Sequence, residues 1–302
     1  MIKIAHLSDP HINLKYHPEH LPRLESVLRD VLDVRGADHV VITGDLSSNA
    51  DQRDFSALLD LFDKLDILDP KRLTIVPGNH DIYGGPHLAE DVLNFPRRCQ
   101  SCNYDELLGR FQEAFAPLFR GAYTASQPYP FVKMIRGVAI IGLNSIARYS
   151  TYWNPVGSTG EISTQHFADL ERMLELPLVQ NATSRLVAVH HHLFRRRDAK
   201  TLHSYTPPEG IFALIEQETL KLRNKRALIG LLERGKVSAI LHGHVHFTGD
   251  YMRNSVRCYN GAGAVFPLTL GGGLQYNLLT INEKGTSLDV PSIEPFILAD
   301  DD

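Results

Sequence analysis

Cysteine is scarce in this chain of 302 residues: there are three, an odd number, at Cys99, Cys102 and Cys258. That excludes the disulfide framework of a small secreted domain. Cys99-x-x-Cys102 has the spacing of a metal or redox pair but lacks a second pair or nearby histidine to complete a tetrahedral site, so both read as reduced thiols in a loop. Long apolar runs are missing too; none approaches the roughly 18 residues that a spanning helix needs. Nor does charge of one sign dominate. A net charge of −4 and a pI near 6.4 leave no basic footprint for following a nucleic-acid backbone. The opening Met1-Ile2-Lys3-Ile4-Ala5 enters a strand pattern directly, without the parts of a signal peptide. A cytoplasmic protein without membrane or nucleic-acid partners is expected. The rest is ordinary for a globular chain, 43% hydrophobic and 22% charged, and reads as one domain over residues 1–302.

Histidine is the departure, with fifteen copies, several of them bunched where apolar runs end. The run Leu73-Thr74-Ile75-Val76 leads into Pro77-Gly78-Asn79-His80-Asp81. A neutral amide beside an imidazole serves packing poorly, since both need polar partners. At a metal, Asn79 can offer a carbonyl oxygen without adding charge, His80 can address a substrate oxygen, and Gly78 lets the chain turn tightly.

The same arrangement recurs along the chain. Residues 2–8 form a first strand ending in Ser8-Asp9-Pro10-His11, where two residues spaced by one share a side of an extended backbone. A helical stripe follows, Leu24, Val27, Leu28, Val31 and Leu32. A second strand, 38–43, then ends in Gly44-Asp45. Strand, helix and strand in that order indicate a parallel sheet, whose ligand site lies beyond the carboxyl ends of its strands. A second helix carries Phe55, Leu58, Leu59 and Phe62. Residues 82–130 are less regular and aromatic-rich, with one helix near Tyr104–Phe119; they either wall the site or pack as a surface insertion. Two strands joined at Arg136-Gly137 come next, then a loop with Trp153 and a helix capped by Ser163. Arg185–Val189 is a further buried strand ending in His190-His191-His192, and Val237–Leu241 another ending in His242-Gly243-His244-Val245-His246. Between them, 193–235 holds Arg195-Arg196-Arg197, either a solvated loop or a phosphate contact, and one or two amphipathic helices over 209–234. The remaining strand-like runs are expected to make a second, mostly antiparallel layer.

Five strand ends thus carry mixed oxygen and nitrogen ligands, and folding alone requires no such coincidence at one sheet edge. Seven ligands exceed the needs of one ion of four to six coordination and suit two ions sharing a carboxylate. Paired ions about 3.5–4 Å apart serve in-line displacement at phosphorus.

The sequence of motifs Asp-x-His, Gly-Asp, Gly-Asn-His-Asp, His-His and Gly-His-x-His, spanning residues 9–246, resembles the calcineurin-like metallophosphoesterase superfamily. It is most similar to the branch of class III cyclic-nucleotide phosphodiesterases and glycerophosphodiesterases. The resemblance implies an α/β fold with four layers, α/β/β/α. It implies that Asp9, His11 and His246 hold one metal, that Asn79, His190 and His244 hold the other, and that Asp45 bridges them. The ions would be Mn, Fe, Zn or Co, and a bridging hydroxide would attack a small phosphodiester. His80 would contact the phosphoryl oxygen and assist the leaving group, with Asp81 orienting it. The third cluster lacks the proline that often follows in this family, leaving His190 and His191 both open, with His190 directly after its strand. The Arg and Glu extensions of Ser/Thr protein phosphatases are missing, which disfavours that activity. A phosphomonoesterase or nucleotide pyrophosphatase is the alternative enzyme, and a non-catalytic metal-binding scaffold the alternative outside enzymes.

Overall fold

The computed structural model describes residues 1–86, 89–125, 128–194, 221–246, 249–261, 263–266, 273–282, 285–289 and 292–293. Strands covered on both faces should read as continuous apolar runs, and those of the first half do. β1 (Ile2–Leu7), β2 (His39–Ile42) and β3 (Leu73–Ile75) lie side by side and parallel. α1 (His20–Arg29) and α2 (Gln52–Lys64) make the crossovers. Leu24, Val27 and Leu28 of α1 and Phe55, Leu58 and Phe62 of α2 recur at helical spacing. They pack on Ala5, Leu7, Val40, Ile42, Leu73 and Ile75 from one sheet face. Ile4 and Val41, alternate residues on the same strands, face the other way into a different core. α2 starts where the Asp51 carboxylate accepts from Arg53 N at 2.9 Å, a side-chain cap.

The stretch 82–130 buries Tyr83, Phe95, Phe111, Phe115 and Tyr129 and leaves Tyr123 exposed. α3 (Ala89–Ser101) and α4 (Tyr104–Ala114) are helices. α3 forms despite Pro96 because Phe95 and Cys99 are buried in the first core, offsetting the hydrogen bond a proline removes. Cys99 therefore sits in a helix rather than a loop. Cys99, Cys102 and Cys258 are all free thiols. α4 stops at Ala114, short of Phe119, because Pro117 lies in a tight 3-10 turn over Ala116–Phe119. Phe111 and Phe115 meet Phe55 edge-on at 5.8 and 5.3 Å. Tyr104 and Tyr129 line a cleft of about 540 Å³ together with Asn144, Arg148 and Trp153.

A second sheet contains β4 (Tyr123–Thr124), β5 (Phe131–Ile135), β6 (Val138–Gly142), β7 (Ser184–Ala188), β8 (Ala239–His242), β9 (Gly249–Arg253) and β10 (Val256–Asn260). Its order is β4-β5-β6-β7-β8-β10-β9, with β6, β7, β8 and β10 parallel. The β5–β6 hairpin turns at Arg136 and Gly137, both with positive φ (48° and 86°), as a twist-matched two-residue turn demands. α5 (Thr164–Leu174) and α7 (Lys225–Arg234), with the single-turn α6 (Pro177–Gln180) between them in sequence, belong to this half. Ser163 caps α5, accepting from His166 N. Leu170, Met173, Leu228 and Leu232 cover Ile141, Val187 and Ile240. Arg195–Arg197, and residues 209–220 of the helices expected over 209–234, lie outside the described residues.

The strands after β8 do not make a layer of their own, contrary to expectation. β9 and β10 extend the second sheet, whereas β12 (Asn277–Asn282) pairs antiparallel with β1 and carries β13 (Gly285–Asp289) beside it. The short β11 (Leu274–Gln275) and β14 (Ser292–Ile293) pair with each other. The apolar alternation of β12 explains its place: Leu279 and Ile281 join Ile4 and Val41 against Phe131, Ile140, Leu186 and Leu241 of the second sheet. Two sheets face to face, each backed by helices, give three apolar cores and four layers, α/β/β/α.

A lysine side chain is buried between the sheets. Lys133 of β5 is 5% exposed, and its Nζ donates to Leu73 O of β3 at 2.8 Å. Burial pushes its ammonium down to about 7. Between about 7 and 10.5 the unfolded chain binds a proton that the folded chain has shed, so this group makes stability rise with pH across that window. Lys133→Met is therefore expected to gain relative to the wild type as pH falls from 10.5 to 7. Urea midpoints across that range measure it, and a pH-independent difference would contradict it.

Candidate metal centre

The ligand-bearing segments begin where the strands stop, and backbone bonds keep them paired beyond the sheet. After β1 and β2, Asp9 N donates to Gly44 O (3.1 Å), His11 N to Asp45 O (2.9 Å) and Ile12 N to Leu46 O (2.9 Å). The chain is not extended there. Asp9, His11, Asp45 and His244 all take positive φ (51°, 43°, 51° and 73°), a conformation unfavourable for residues with a Cβ. Asp9 and His11 thus converge through left-handed kinks, not through the strand alternation read from Asp-x-His; His244 of His-x-His is kinked likewise. Backbone strain gathered in this way is typical of functional sites.

These kinks bring side chains from both sheets to one place, not from five ends of a single sheet. His11 Nε2 lies 3.6 Å from Asp45 Oδ2, 3.9 Å from Asp9 Oδ1 and 3.1 Å from His246 Nε2. His190 Nε2 lies 3.4 Å from the same Asp45 Oδ2, 3.0 Å from Asn79 Oδ1 and 2.9 Å from His244 Nδ1. Two groups of donors therefore share one carboxylate oxygen. The other oxygen, Asp45 Oδ1, accepts from His80 N at 2.8 Å. Asp9 Oδ2 accepts from His244 N at 2.9 Å, tying the β1 end to the β8 end.

Of the two histidines left open by sequence, the groups contain His190. Its Nδ1 points at Thr43 O (2.8 Å), an oxygen that only accepts, so Nδ1 donates there and Nε2 is the nitrogen turned to the cluster. Both nitrogens of His191 are engaged elsewhere, with Ser145 Oγ (2.8 Å) and Ser158 O (3.1 Å). His192 stacks on Phe194. His80 Nδ1 meets Ser48 O at 3.1 Å. The two oxygens of Asp81, expected to orient His80, instead accept from Ser47 N (2.9 Å) and Gly78 N (2.8 Å), so any hold on His80 runs through the loop backbone.

Electrostatics separate the buried carboxyls of Asp9, Asp45 and Asp81. Burial opposes charge at Asp45, yet the imidazoles of His190, His80 and His11 hold its carboxyl well below the usual range. Burial raises Asp9. Burial, reinforced by the Asp45 charge, pushes Asp81 up to about 8.

The donor set fits metal ions. Asp9 Oδ1 is buried without a hydrogen-bond partner, and it faces His11 and His246. Donors 2.9–3.1 Å apart, as at His190/His244, His190/Asn79 and His11/His246, match ligand edges of about 3.0–3.4 Å around an ion with bonds near 2.1 Å.

A family model for calcineurin-like phosphoesterases matches residues 2–247. The chain belongs to the calcineurin-like phosphoesterase family. The chemistry of that family is phosphoester hydrolysis, and the clusters above fit its use of paired divalent metals. No curated protein matches the sequence. Among solved structures, a dimetal phosphatase from Danio rerio is similar over 96% of this phosphoesterase and 98% of its own chain, at 15% identity and a TM-score of 0.57. A purple acid phosphatase from yellow lupin seeds is similar over 96% of this chain at 14% identity and a TM-score of 0.54, and this chain spans 51% of its length. GAP50, the anchor in the inner membrane complex of Plasmodium, is similar over 96% of this chain and 84% of its own, at 12% identity and a TM-score of 0.51. At such identities the likeness is one of fold.

Sequence reading missed two neighbours of the centre. Phe266 stacks on His246 with centroids 5.2 Å apart, and His20 Nδ1 bonds His11 O at 2.8 Å. Phe266 stands apart from any ligand motif and gave no signal; the string His17-Pro18-Glu19-His20 did.

Close approach makes Gly78 irreplaceable. A Cβ there would lie 2.1 Å from both N and Oδ1 of Asp45, whereas at Gly109 in α4 it would meet nothing within 4 Å. Gly78→Ala is expected to destabilise by at least about 2 kcal/mol. Gly109→Ala should stabilise by up to about 1 kcal/mol. Urea unfolding of both variants checks the pair.

Proposed function

We propose that this phosphoesterase is a dinuclear metal-dependent hydrolase of small phosphodiesters, such as a cyclic nucleotide or a glycerophosphodiester, with the chain acting as one catalytic domain. The observation that carries the reading is the sharing of Asp45 Oδ2 by two donor groups. Asp9, His11 and His246 would hold one ion, Asn79, His190 and His244 the other, with Asp45 between them. Mn, Fe, Zn and Co all suit such mixed ligation. When bound, the ions polarise the phosphoryl group and lower the pKa of an attacking water.

The chain's own groups have separate tasks in this reading. Thr43 O fixes the His190 ring so that Nε2 faces the centre. Ser48 O accepts from His80 Nδ1, leaving Nε2 for substrate. That nitrogen would be the one placed to pass a proton to the leaving oxygen. Asp81 holds the Gly78 and Ser47 loops in register. The diester preference rests on the motif resemblance, with no Arg or Glu extension of the protein-phosphatase kind. A phosphomonoesterase is the second reading, favoured by the two phosphatases among the similar structures. A scaffold reading, the anchor among them notwithstanding, is opposed by a filled set of ligand positions. A cytoplasmic setting goes with free thiols; among the described residues no helix is long and apolar enough to cross a membrane.

Elemental analysis is expected to find at least two metals per chain, with hydrolysis of bis-nitrophenyl phosphate abolished by chelation and restored by Mn²⁺. No metal and no hydrolysis after Mn²⁺ addition would refute the reading, and clear preference for the mono-nitrophenyl ester would favour the monoesterase. Asp45→Ala should lose metal and activity together. His80→Ala should keep its metal while kcat falls about 10²–10⁴-fold.

A further inference from the structure

A separate set of metal-ligating side chains stands where the loop after β1 enters α1. His17 Nδ1 is 3.5 Å from Glu19 Oε1, and His20 Nε2 is 3.7 Å from the same oxygen. One donor atom from each of the three residues lies within 4.8 Å of the others. Both separations are too long for a hydrogen bond. The tautomer of His20 is set by its other nitrogen. Nδ1 is 2.8 Å from His11 O, an oxygen that only accepts, so Nδ1 carries the proton and neutral Nε2 turns a lone pair toward Glu19. A lone pair facing a carboxylate is repulsive unless a cation lies between them. An imidazole that gives one N–H to a backbone carbonyl and aims its other nitrogen at further donors is how proteins orient a metal-ligating histidine.

We propose that His17, Glu19 and His20 form a third divalent-cation site, with the two-imidazole, one-carboxylate donor set that suits Zn²⁺. The site goes beyond the hydrolase reading and does not depend on it. The loop is shaped for it without the ion. Asn13 Oδ1 accepts from Lys15 N and Tyr16 N (3.2 and 3.0 Å), and His17 N donates to Asn13 O (2.9 Å), so the turn presents all three side chains together. His20 is buried, anchoring one donor, while half-exposed His17 has room to close on an ion. The positive end of α1 opposes a cation here, and the Glu19 carboxylate at its cap supplies the offsetting charge. Solvent fills the open coordination positions. An ion bound here fastens the loop that carries His11, since the anchoring bond of His20 ends on the His11 carbonyl. It also steadies Phe266, which lies edge-on to His20 (4.9 Å) and stacks on His246.

Full-length protein stripped by chelation, loaded with Zn²⁺ alone and desalted, provides the test. His17→Ala and the nearly isosteric Glu19→Gln should each retain one Zn²⁺ fewer per chain than the wild type by elemental analysis, and the rise in Tm on adding Zn²⁺ should shrink in both. Zinc content unchanged in either variant overturns the assignment. The same comparison in an Asp45→Ala background separates this site from the centre. Failure of the dinuclear reading would appear as metal content unaffected by Asp45→Ala, whereas the one-equivalent difference at His17 and Glu19 persists whether or not that centre holds ions.

Discussion

The carboxylate of Asp45 is the contact on which the rest of the site depends. One oxygen lies 3.6 Å from His11 of the first sheet's edge and 3.4 Å from His190 of the second, while the other takes the His80 amide. Buried carboxylates usually lose their charge. This one keeps it because three imidazoles surround it. The two sheets are held face to face by an apolar core, but it is at Asp45 that their chemistry meets. Any error in how the sheets dock is an error in the distance between the donor groups.

Convergence of this kind demands an unusual backbone. Four ligand candidates adopt left-handed φ, and the glycines flanking them leave no room for a side chain: a Cβ at Gly243 would stand 1.7 Å from Ser8 Oγ. Each kink is unfavourable by itself, of order 1–3 kcal/mol. What holds them is the ladder of Asp9, His11 and Ile12 amides on the carbonyls of Gly44, Asp45 and Leu46, continued past the end of β1 and β2, and the Asp81 carboxylate bridging Gly78 and Ser47. The layers deliver strand ends to the right neighbourhood, and this polar stitching then aims the side chains.

Much of this was legible in the sequence. The strand–helix–strand order of the first half, the Ser163 cap and the turn at Arg136-Gly137 followed from patterning and turn chemistry, and the motifs identified the residues that come together. What the sequence could not carry was geometry set by tertiary contacts. Asp-x-His looks the same whether its backbone is extended or kinked. The choice between His190 and His191 depended on partners far away in the chain, Thr43 for one and Ser145 and Ser158 for the other. The helix through Pro96 was missed because burial of Phe95 and Cys99 outweighs a local penalty. β12 was assigned to the wrong layer because an antiparallel strand joining a parallel sheet leaves no mark in its own composition.

That last strand bears on how the protein is made. β1 lies inside its sheet, between β2 and β12, and β12 begins at Asn277. On a ribosome adding about 5–20 residues per second, the outer edge of β1 waits on the order of tens of seconds for its partner. Until then its row of unpaired amides and carbonyls is a template that any extended apolar segment can occupy. The nascent chain is therefore open to mispairing at the same strand whose end carries Asp9 and His11, so whatever shields the β1 edge during synthesis, or shortens its wait for β12, also protects the strand end that feeds the centre.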